Sequence, residues 1–141
     1  MKVFVTGIKG QLGFDVMNEL EKRGHEAVGT DVEELDITDA EAVGEFISRV
    51  NPDAVIHCAA WTAVDAAEDE ENIDEVRAVN ASGTENIAKA CKKLDCKMIY
   101  ISTDYVFDGQ GTTPWDPDCK DYAPQNVYGQ TKLDGELAVS G

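Results

Sequence analysis

Hydrophobic and polar positions along the chain alternate between two kinds of segment. Short runs rich in β-branched and aromatic residues predict buried strands, and longer runs with apolar residues three or four positions apart predict amphipathic helices. The predicted strands cover residues 3–5, 27–30, 54–57 and 97–102. The predicted helices cover residues 11–23 and 39–51, a long helical region after residue 60 is clearest at 82–94, and a last helix begins near residue 126 and continues at least to residue 137. This alternation is typical of an α/β fold in which a doubly wound parallel sheet lies between two layers of helices.

Length and composition are those of a globular protein. A chain of 141 residues suffices for one domain with a hydrophobic core, and 43% of the residues are apolar and 28% charged. No apolar run approaches the roughly 18 residues that span a bilayer. The first residues, MKVFVTG, lack the pattern of a secretory signal. We therefore expect a cytoplasmic protein without a membrane partner.

Asp and Glu outnumber Lys and Arg by 28 to 12, which gives a formal charge of −16. Such a surface repels nucleic acid, which is not expected as a partner, and an anionic ligand would need a local binding device such as a helix N-terminus. Four cysteines without a C-x-x-C pair favour reduced, structural thiols. We predict no metal ligands; Mg²⁺ at the acidic run 68–71 is the less favoured alternative to a solvated face.

Three glycines, Gly7, Gly10 and Gly13, form a G-x-x-G-x-x-G pattern between the first predicted strand and the first predicted helix. Glycines there permit a tight turn, let the backbone approach a pyrophosphate, and let the helix pack closely on the strand. The free N–H groups at the helix start would then hold the phosphate oxygens. The motif in this position predicts a Rossmann-like, NAD(P)-binding fold.

Asp31 ends the second predicted strand, eighteen residues after Gly13. Dinucleotide-binding folds place there the carboxylate that binds the adenosine ribose, and a turn aspartate is the alternative interpretation. No Lys or Arg lies between residues 32 and 38 to neutralise a 2′-phosphate, so NADH is predicted ahead of NADPH. The next residues, Asp36-Ile37-Thr38, could cap the following helix or lie beside the adenine.

A second group of residues joins Thr103, after the fourth predicted strand, to Tyr128 and Lys132 on the last helix. The carboxyl ends of parallel strands share one sheet edge, so Thr103 is expected on the same edge as the glycine motif. Tyr128 and Lys132 are four positions apart and share a helical face. A nearby ammonium lowers the pKa of a phenol from about 10, which would make Tyr128 a proton donor near neutrality. Alone, Y-x-x-x-K is equally consistent with a solvated helix face; the order of all three motifs favours a catalytic site.

Five segments carry a resemblance to a known family. They are GIKGQLG (7–13), CAAWTAVDAAE (58–68), VNASGTENIA (79–88), STDYVFDG (102–109) and NVYGQTKLDGE (126–136). With these motifs the chain resembles the extended short-chain dehydrogenase/reductase superfamily and, within it, the dTDP-4-dehydrorhamnose reductase family, over essentially its whole length. That family continues for about as many residues again. The resemblance therefore implies that residues 1–141 form the dinucleotide-binding domain, without the C-terminal part of the family's fold and its substrate domain.

The resemblance also assigns roles to matching positions. The cofactor-binding positions are Gly7, Gly10, Gln11, Leu12, Gly13, Asp31, Asp36, Ile37, Ala60, Trp61, Thr62, Tyr128 and Lys132. Among these, Asp36 and Ile37 would flank the adenine, and residues 60–62 would line the path to the nicotinamide. Thr103 and Asp104 would meet the sugar. Tyr128 would be the proton donor, and Lys132 would bind the nicotinamide ribose and tune Tyr128.

The implied reaction is reduction of the C4 carbonyl of dTDP-4-dehydro-L-rhamnose by NADH, with NADPH as an alternative donor. Sugar-nucleotide dehydratases that resemble this segment carry Glu after Thr-Asp, whereas Tyr105 follows Asp104 here, which favours simple reduction. A non-catalytic, dinucleotide-binding regulatory module of the same fold is the alternative function. The sheet edge that this part of the fold leaves open would allow a homodimer.

Overall fold

The computed structural model describes every residue from Met1 to Gly141. Its four strands are β1 (Lys2–Thr6), β2 (Glu26–Thr30), β3 (Ala54–His57) and β4 (Lys97–Tyr100). They form one parallel sheet in the order β2-β1-β3-β4. The chain moves outward from β1 to β2 and returns past β1 to β3, so the direction of winding reverses between β1 and β3. The predicted Rossmann-like α/β fold is confirmed.

Five α-helices connect and cover the strands: α1 (Gln11–Lys22), α2 (Ala40–Val50), α3 (Ile73–Arg77), α4 (Thr84–Leu94) and α5 (Val127–Ser140). A π-helical segment, Ala78–Gly83, joins α3 to α4 without a break. Helix α1 packs against β1 and β2, whereas α2, α4 and α5 pack side by side. None of these helices has the length and apolar character needed to cross a membrane.

The hydrophobic core lies between the sheet and the helices α2 and α4. Its fully or nearly fully buried members are Phe4, Leu35, Ile37, Val43, Ile47, Val55, Ile87 and Cys91. Side chains alternate between the two faces of a strand, so Phe4 enters this core while the buried neighbours Val3 and Val5 lie on the opposite face. At the start of α2, the Asp39 carboxylate accepts the N–H of Ala42 at 3.0 Å, which satisfies a helix N–H that lacks an intrahelical partner.

One strand end differs from the prediction by more than one residue, and one helix start that the sequence pattern left open is defined by the structure. The fourth strand ends at Tyr100 rather than at residue 102, because its neighbour β3 ends at His57, the residue paired with Tyr100. The helical region predicted after residue 60, and clearest at 82–94, begins at Ile73 and includes the π-helical segment. Both boundaries depend on contacts with distant parts of the chain.

Candidate functional site

A cleft of about 830 Å³ opens at the carboxyl ends of the strands, where the direction of winding reverses. Twelve of the predicted site residues line it: Gly7, Gly10, Gln11, Leu12, Gly13, Asp31, Asp36, Ile37, Ala60, Thr62, Tyr128 and Lys132. The chain thus brings its N-terminal glycine motif and the residues of its last helix to one cavity.

The glycine motif forms a turn that side chains would obstruct. Gly7 has φ +68°, a left-handed conformation that favours glycine, and a Cβ on Gly13 would lie 2.1 Å from the Gly7 carbonyl oxygen. Gly10 precedes α1 and offers no side chain to cap it. The first N–H groups of α1 therefore lack both intrahelical and side-chain partners, which leaves them available to an anion.

His57, at the end of β3, holds this turn against the neighbouring strand. The Thr6 hydroxyl oxygen accepts the N–H groups of Cys58 and Ala59, both at 3.0 Å, and lies 2.7 Å from His57 Nδ1. Because the two N–H groups occupy the lone pairs of Thr6, its single proton goes to Nδ1, and Nε2–H of His57 donates to the Thr84 hydroxyl at 3.0 Å. Burial lowers the pKa of His57 to about 3, so the ring is neutral.

Asp31 lies at the corner of the cleft beyond β2. Its two carboxylate oxygens accept the N–H of Lys9 at 2.9 Å and the N–H of Val32 at 2.8 Å. The Lys9 ammonium pairs with Glu33, and this hydrogen bond raises the pKa of Lys9. A cation therefore stands at this corner although residues 32–38 contain none. This cation is Lys9 of the glycine motif, which lies outside the segment 32–38 on which the prediction of NADH was based.

The segment after Asp31 makes two separate contributions. The Asp36 carboxylate accepts the hydroxyl of Thr38 at 2.7 Å and its N–H at 2.9 Å, and these bonds lower the pKa of Asp36. Because Asp39 caps α2, the interpretation of residues 36–38 as the cap of that helix is wrong. Ile37 lines the cleft with part of its surface while it is buried in the core.

Residues 60–62 follow β3 along the cleft wall, and Trp61 is held outward from it. Ala60 and Thr62 line the cavity, but Trp61 does not, and its indole N–H donates to the Ala63 carbonyl at 2.9 Å. Asn80, in the π-helical segment, accepts the Trp61 N–H at 2.8 Å and donates to the Trp61 carbonyl and to Thr131, each at 3.2 Å. Asn80 therefore ties this wall to α5. The segment VNASGTENIA contains Asn80, but its sequence pattern indicates no role for this residue.

Lys132 is the buried cation of the site. Its ammonium donates to the Ile101 carbonyl at 2.6 Å and lies 4.5 Å from the centre of the Tyr100 ring. Burial lowers the pKa of Lys132 to about 8. Lys132 forms no ion pair with a carboxylate, so a carbonyl dipole and an aromatic face are its contacts in the protein.

Tyr128 lies one helical turn before Lys132, and its environment differs from the expected one. Burial raises the pKa of the phenol, and a hydrogen bond with Thr103 opposes this effect. The expected lowering by the Lys132 ammonium is wrong for this structure, because that ammonium is directed to Ile101 and Tyr100. A phenol with a raised pKa stays protonated at neutral pH, which is the form that a proton donor requires.

Thr103 and Asp104 stand beside Tyr128 rather than in the wall of the cleft. Thr103 precedes a short 3-10 turn, Asp104–Val106, and its hydroxyl accepts the N–H of Tyr105 at 3.2 Å. The Tyr105 ring contacts the Tyr128 ring edge to face, at 5.8 Å between centres. A carbonyl compound at the mouth of the cleft could therefore meet the hydroxyl groups of both Thr103 and Tyr128.

The acidic run 68–71 has one residue with a definite task. Glu68 accepts the N–H of Val127 at 2.5 Å, at the start of α5, where Asn126 also accepts the N–H of Gly129 at 2.7 Å. Glu68 is exposed, as expected of a solvated face, and its carboxylate also holds the start of α5. No group of three or more His, Cys, Asp or Glu side chains is arranged to hold a metal ion.

Comparison with known proteins places this arrangement in a family. Residues 1–141, the whole chain, match the family model described as the RmlD substrate binding domain. The chain belongs to this family. The family resemblance predicted from the motifs is thereby confirmed.

Relatives of the RmlD family share both sequence and fold with the chain. A dTDP-4-dehydrorhamnose reductase of Mycolicibacterium smegmatis is 43% identical over 139 residues, which are 98% of this chain and 41% of that protein. The crystal structure of a dTDP-4-dehydrorhamnose reductase from Bacillus anthracis in complex with NADP is 39% identical, with a TM-score of 0.92 over 99% of this chain and 49% of that one. Bordetella bronchiseptica WbmG, solved with NAD and UDP, is 25% identical, with a TM-score of 0.84 over 98% of this chain and 48% of that one. The chain therefore spans about half the length of these relatives.

Proposed function

We propose that residues 1–141 are the dinucleotide-binding domain of a cytoplasmic, NAD(P)H-dependent reductase of nucleotide-sugar biosynthesis. Its reaction is the reduction of the C4 carbonyl of dTDP-4-dehydro-L-rhamnose to dTDP-L-rhamnose. One observation carries the proposal: the glycine turn, Asp31, Tyr128 and Lys132 line a single cleft. The relatives named as dTDP-4-dehydrorhamnose reductases, one of them solved with NADP, support it.

The residues of the cleft fit a dinucleotide. The absence of side chains at Gly10 and Gly13 lets a pyrophosphate reach the uncapped start of α1. Each oxygen of Asp31 uses one lone pair on a backbone N–H, so the carboxylate retains acceptor sites for ribose hydroxyls. Asp31 and Glu33 place negative charge at the corner where the 2′-phosphate of NADPH would lie. The Lys9 ammonium is paired with Glu33 and is therefore not free to neutralise that phosphate. We therefore expect NADH to bind more tightly than NADPH.

The chemistry at the other end of the cleft follows from three side chains. Bound NADH supplies the hydride. Tyr128, protonated at neutral pH, would give its proton to the oxygen of the reduced carbonyl, and Thr103 would donate a hydrogen bond to that oxygen as negative charge develops. Lys132 would bind the nicotinamide ribose, and the carboxylate of Asp104 would meet a sugar hydroxyl.

Fluorescence titration with NADH tests cofactor binding. The purified chain should bind NADH, and Gly10→Trp should abolish binding, because a Cβ fits at this position but an indole would fill the phosphate end of the cleft. Gly44→Ala is the matched control: a Cβ there meets nothing within 4 Å, so binding should be unchanged. Failure of the unmodified chain to bind either NADH or NADPH would contradict the proposal.

Turnover is tested separately, by oxidation of NADH after addition of the dTDP-4-keto sugar. Tyr128→Phe should abolish the reaction while NADH binding is retained. Turnover that is lost in Tyr128→Phe would exclude the non-catalytic module, whereas binding without turnover is what both that module and a dinucleotide-binding domain without its substrate domain would give. A homodimer through the free edge of β4 stays a prediction, which analytical ultracentrifugation tests.

A further inference from the structure

Two stacked aromatic rings lie beneath the Lys132 ammonium. The first is Tyr100, the last residue of β4, whose ring centre is 4.5 Å from Lys132 Nζ. The second is His57, paired with Tyr100 across the sheet, whose ring is tilted by only 20° from the Tyr100 ring, at 6.2 Å between centres. The ammonium therefore faces an aromatic surface that continues into the sheet.

The Tyr100 ring is fixed by α5 and by the stacked ring of His57. Its hydroxyl donates to the backbone carbonyl of Lys132 at 2.9 Å, so the residue that carries the ammonium also anchors the ring. A Cβ on Gly135 would lie 2.6 Å from the Tyr100 hydroxyl oxygen, which shows how closely α5 approaches the ring. Its stacked neighbour His57 is held by Thr6 and Thr84. A ring with these restraints has little freedom to rotate away from the ammonium.

No carboxylate compensates the charge of Lys132. From α5, Asp134 is bonded to Arg77 and Gln130, and Glu136 to Ser102 and Tyr122. The other ionisable groups near the ammonium are His57, Tyr100 and Tyr128, which are all neutral at pH 7, together with Asp104 at the mouth of the cleft. The negative face of the Tyr100 ring and the Ile101 carbonyl are thus the groups that favour the charged form of Lys132 inside the protein.

We propose that Tyr100 is a positioning residue whose ring holds the Lys132 ammonium in its protonated form at the base of the cleft. The relevance of this role to cofactor binding rests on the proposed function, in which Lys132 binds the nicotinamide ribose. Its physical content is independent of that assignment. The ring offsets part of the cost of burying the charge, and the hydroxyl fixes the ring to α5.

An NMR titration of the chain labelled with ¹³Cε-lysine tests this role without any cofactor. Lys132→Met assigns the signal, and the unmodified chain should titrate with a midpoint near pH 8. Tyr100→Phe should leave the midpoint almost unchanged, because the ring face is kept. Tyr100→Leu should lower it by about one pH unit, because loss of a cation–π contact favours the neutral amine.

Tyr100→Leu could also change the Lys132 midpoint by disturbing the fold, and a fluorinated ring at position 100 separates the two effects. Trifluorophenylalanine at position 100 keeps the shape of Phe but weakens the negative face, so the Lys132 midpoint should fall below that of Tyr100→Phe. Tyr122→Leu is the matched control, since this tyrosine bonds Glu136 and does not contact Lys132. An equal Lys132 midpoint in the Phe and trifluorophenylalanine proteins would overturn the proposal.

The two proposals fail in different ways. If the unmodified chain does not bind NADH, the proposed function fails, while a fluorine-dependent midpoint still supports the role of Tyr100. If NADH binds but fluorination leaves the Lys132 midpoint unchanged, the proposed role of Tyr100 is wrong and the proposed function is unaffected.

Discussion

His57 is a buried polar residue that joins the ends of the two central strands, β1 and β3, at the edge of the cleft. Its neutral ring accepts a hydrogen bond from Thr6 and donates one to Thr84, so protonation of Nδ1 would break the bond with Thr6. Sequence analysis could not assign this role, because a histidine at a strand end is compatible with many environments. The histidine and its two partners come from β3, β1 and α4 and meet only in the folded chain.

The stability of the chain should therefore depend on pH through His57. Its pKa is about 3 in the folded chain and near 6.5 when unfolded, so between these values the unfolded state binds a proton that the folded state does not. The contribution is complete above pH 6.5 and declines as the pH falls towards 3, by about 2 kcal/mol at pH 5. Urea unfolding at pH 8 and pH 5 measures this decline, which should be smaller in His57→Gln.

His25→Gln is the control for that experiment, because the His25 ring lies far from His57 in the sequence and its one side-chain hydrogen bond is with the N-terminal amine. This variant should retain the decline seen in the unmodified chain. A decline of the same size in His57→Gln would show that other groups account for the pH dependence.

At the scale of elements, α5 is the helix whose start must be held in place, since Tyr128 lies in its first turn. Two side chains accept its first free N–H groups: Asn126, directly before the helix, and Glu68, 59 residues earlier. The second contact joins α5 to the 3-10 turn Ala66–Glu68. The placement of Tyr128 therefore depends on a residue that the sequence pattern assigned to the solvent.

Glu68→Ala should lower the free energy of unfolding by about 1 kcal/mol, because a hydrogen bond between a carboxylate and a helix N–H is lost. Glu70, in the same acidic run, makes no side-chain hydrogen bond, so Glu70→Ala should leave stability unchanged. Urea unfolding of both variants at pH 7 measures the difference. Equal midpoints for the two variants would show that the Glu68 contact contributes nothing.

Most elements could be predicted from the sequence because their hydrophobic periods are local. The π-helical segment Ala78–Gly83 could not, since it depends on Asn80 reaching Trp61 and Thr131. The contact of Lys132 with Tyr100 could not be predicted either. The four-residue spacing of Tyr128 and Lys132 shows that they share a helix face, but it does not show which residues that face contacts. The position of the glycine motif, by contrast, needed only the strand and helix on either side of it.

At the scale of the whole molecule, the charge of −16 opposes an anionic cofactor at long range. The helix start and Lys132 act only within the cleft. If the overall field matters, added salt should strengthen binding, because the Debye length falls to about 8 Å at physiological ionic strength and screens the repulsion. The Kd for NADH should decrease between 0.02 and 0.3 M NaCl, and the Kd for NADPH, which carries more charge, should decrease further.

Fluorescence titration at the two salt concentrations measures these constants, with Gly10→Trp as the variant that should bind neither cofactor. A Kd that rises with salt would show instead that nearby cations such as Lys9 and Lys132 dominate the electrostatics of binding.

Strand β4 has one neighbour only, and its outer side exposes 53% of Ile99 beside an unpaired row of backbone groups. Such an edge can recruit the same edge of another copy. Mutual repulsion between strongly acidic copies opposes that encounter, but the repulsion vanishes near pH 4.2, where the chain is isoelectric. Acidification towards that pH should therefore turn a clear solution cloudy, and Ile99→Lys should keep it clear.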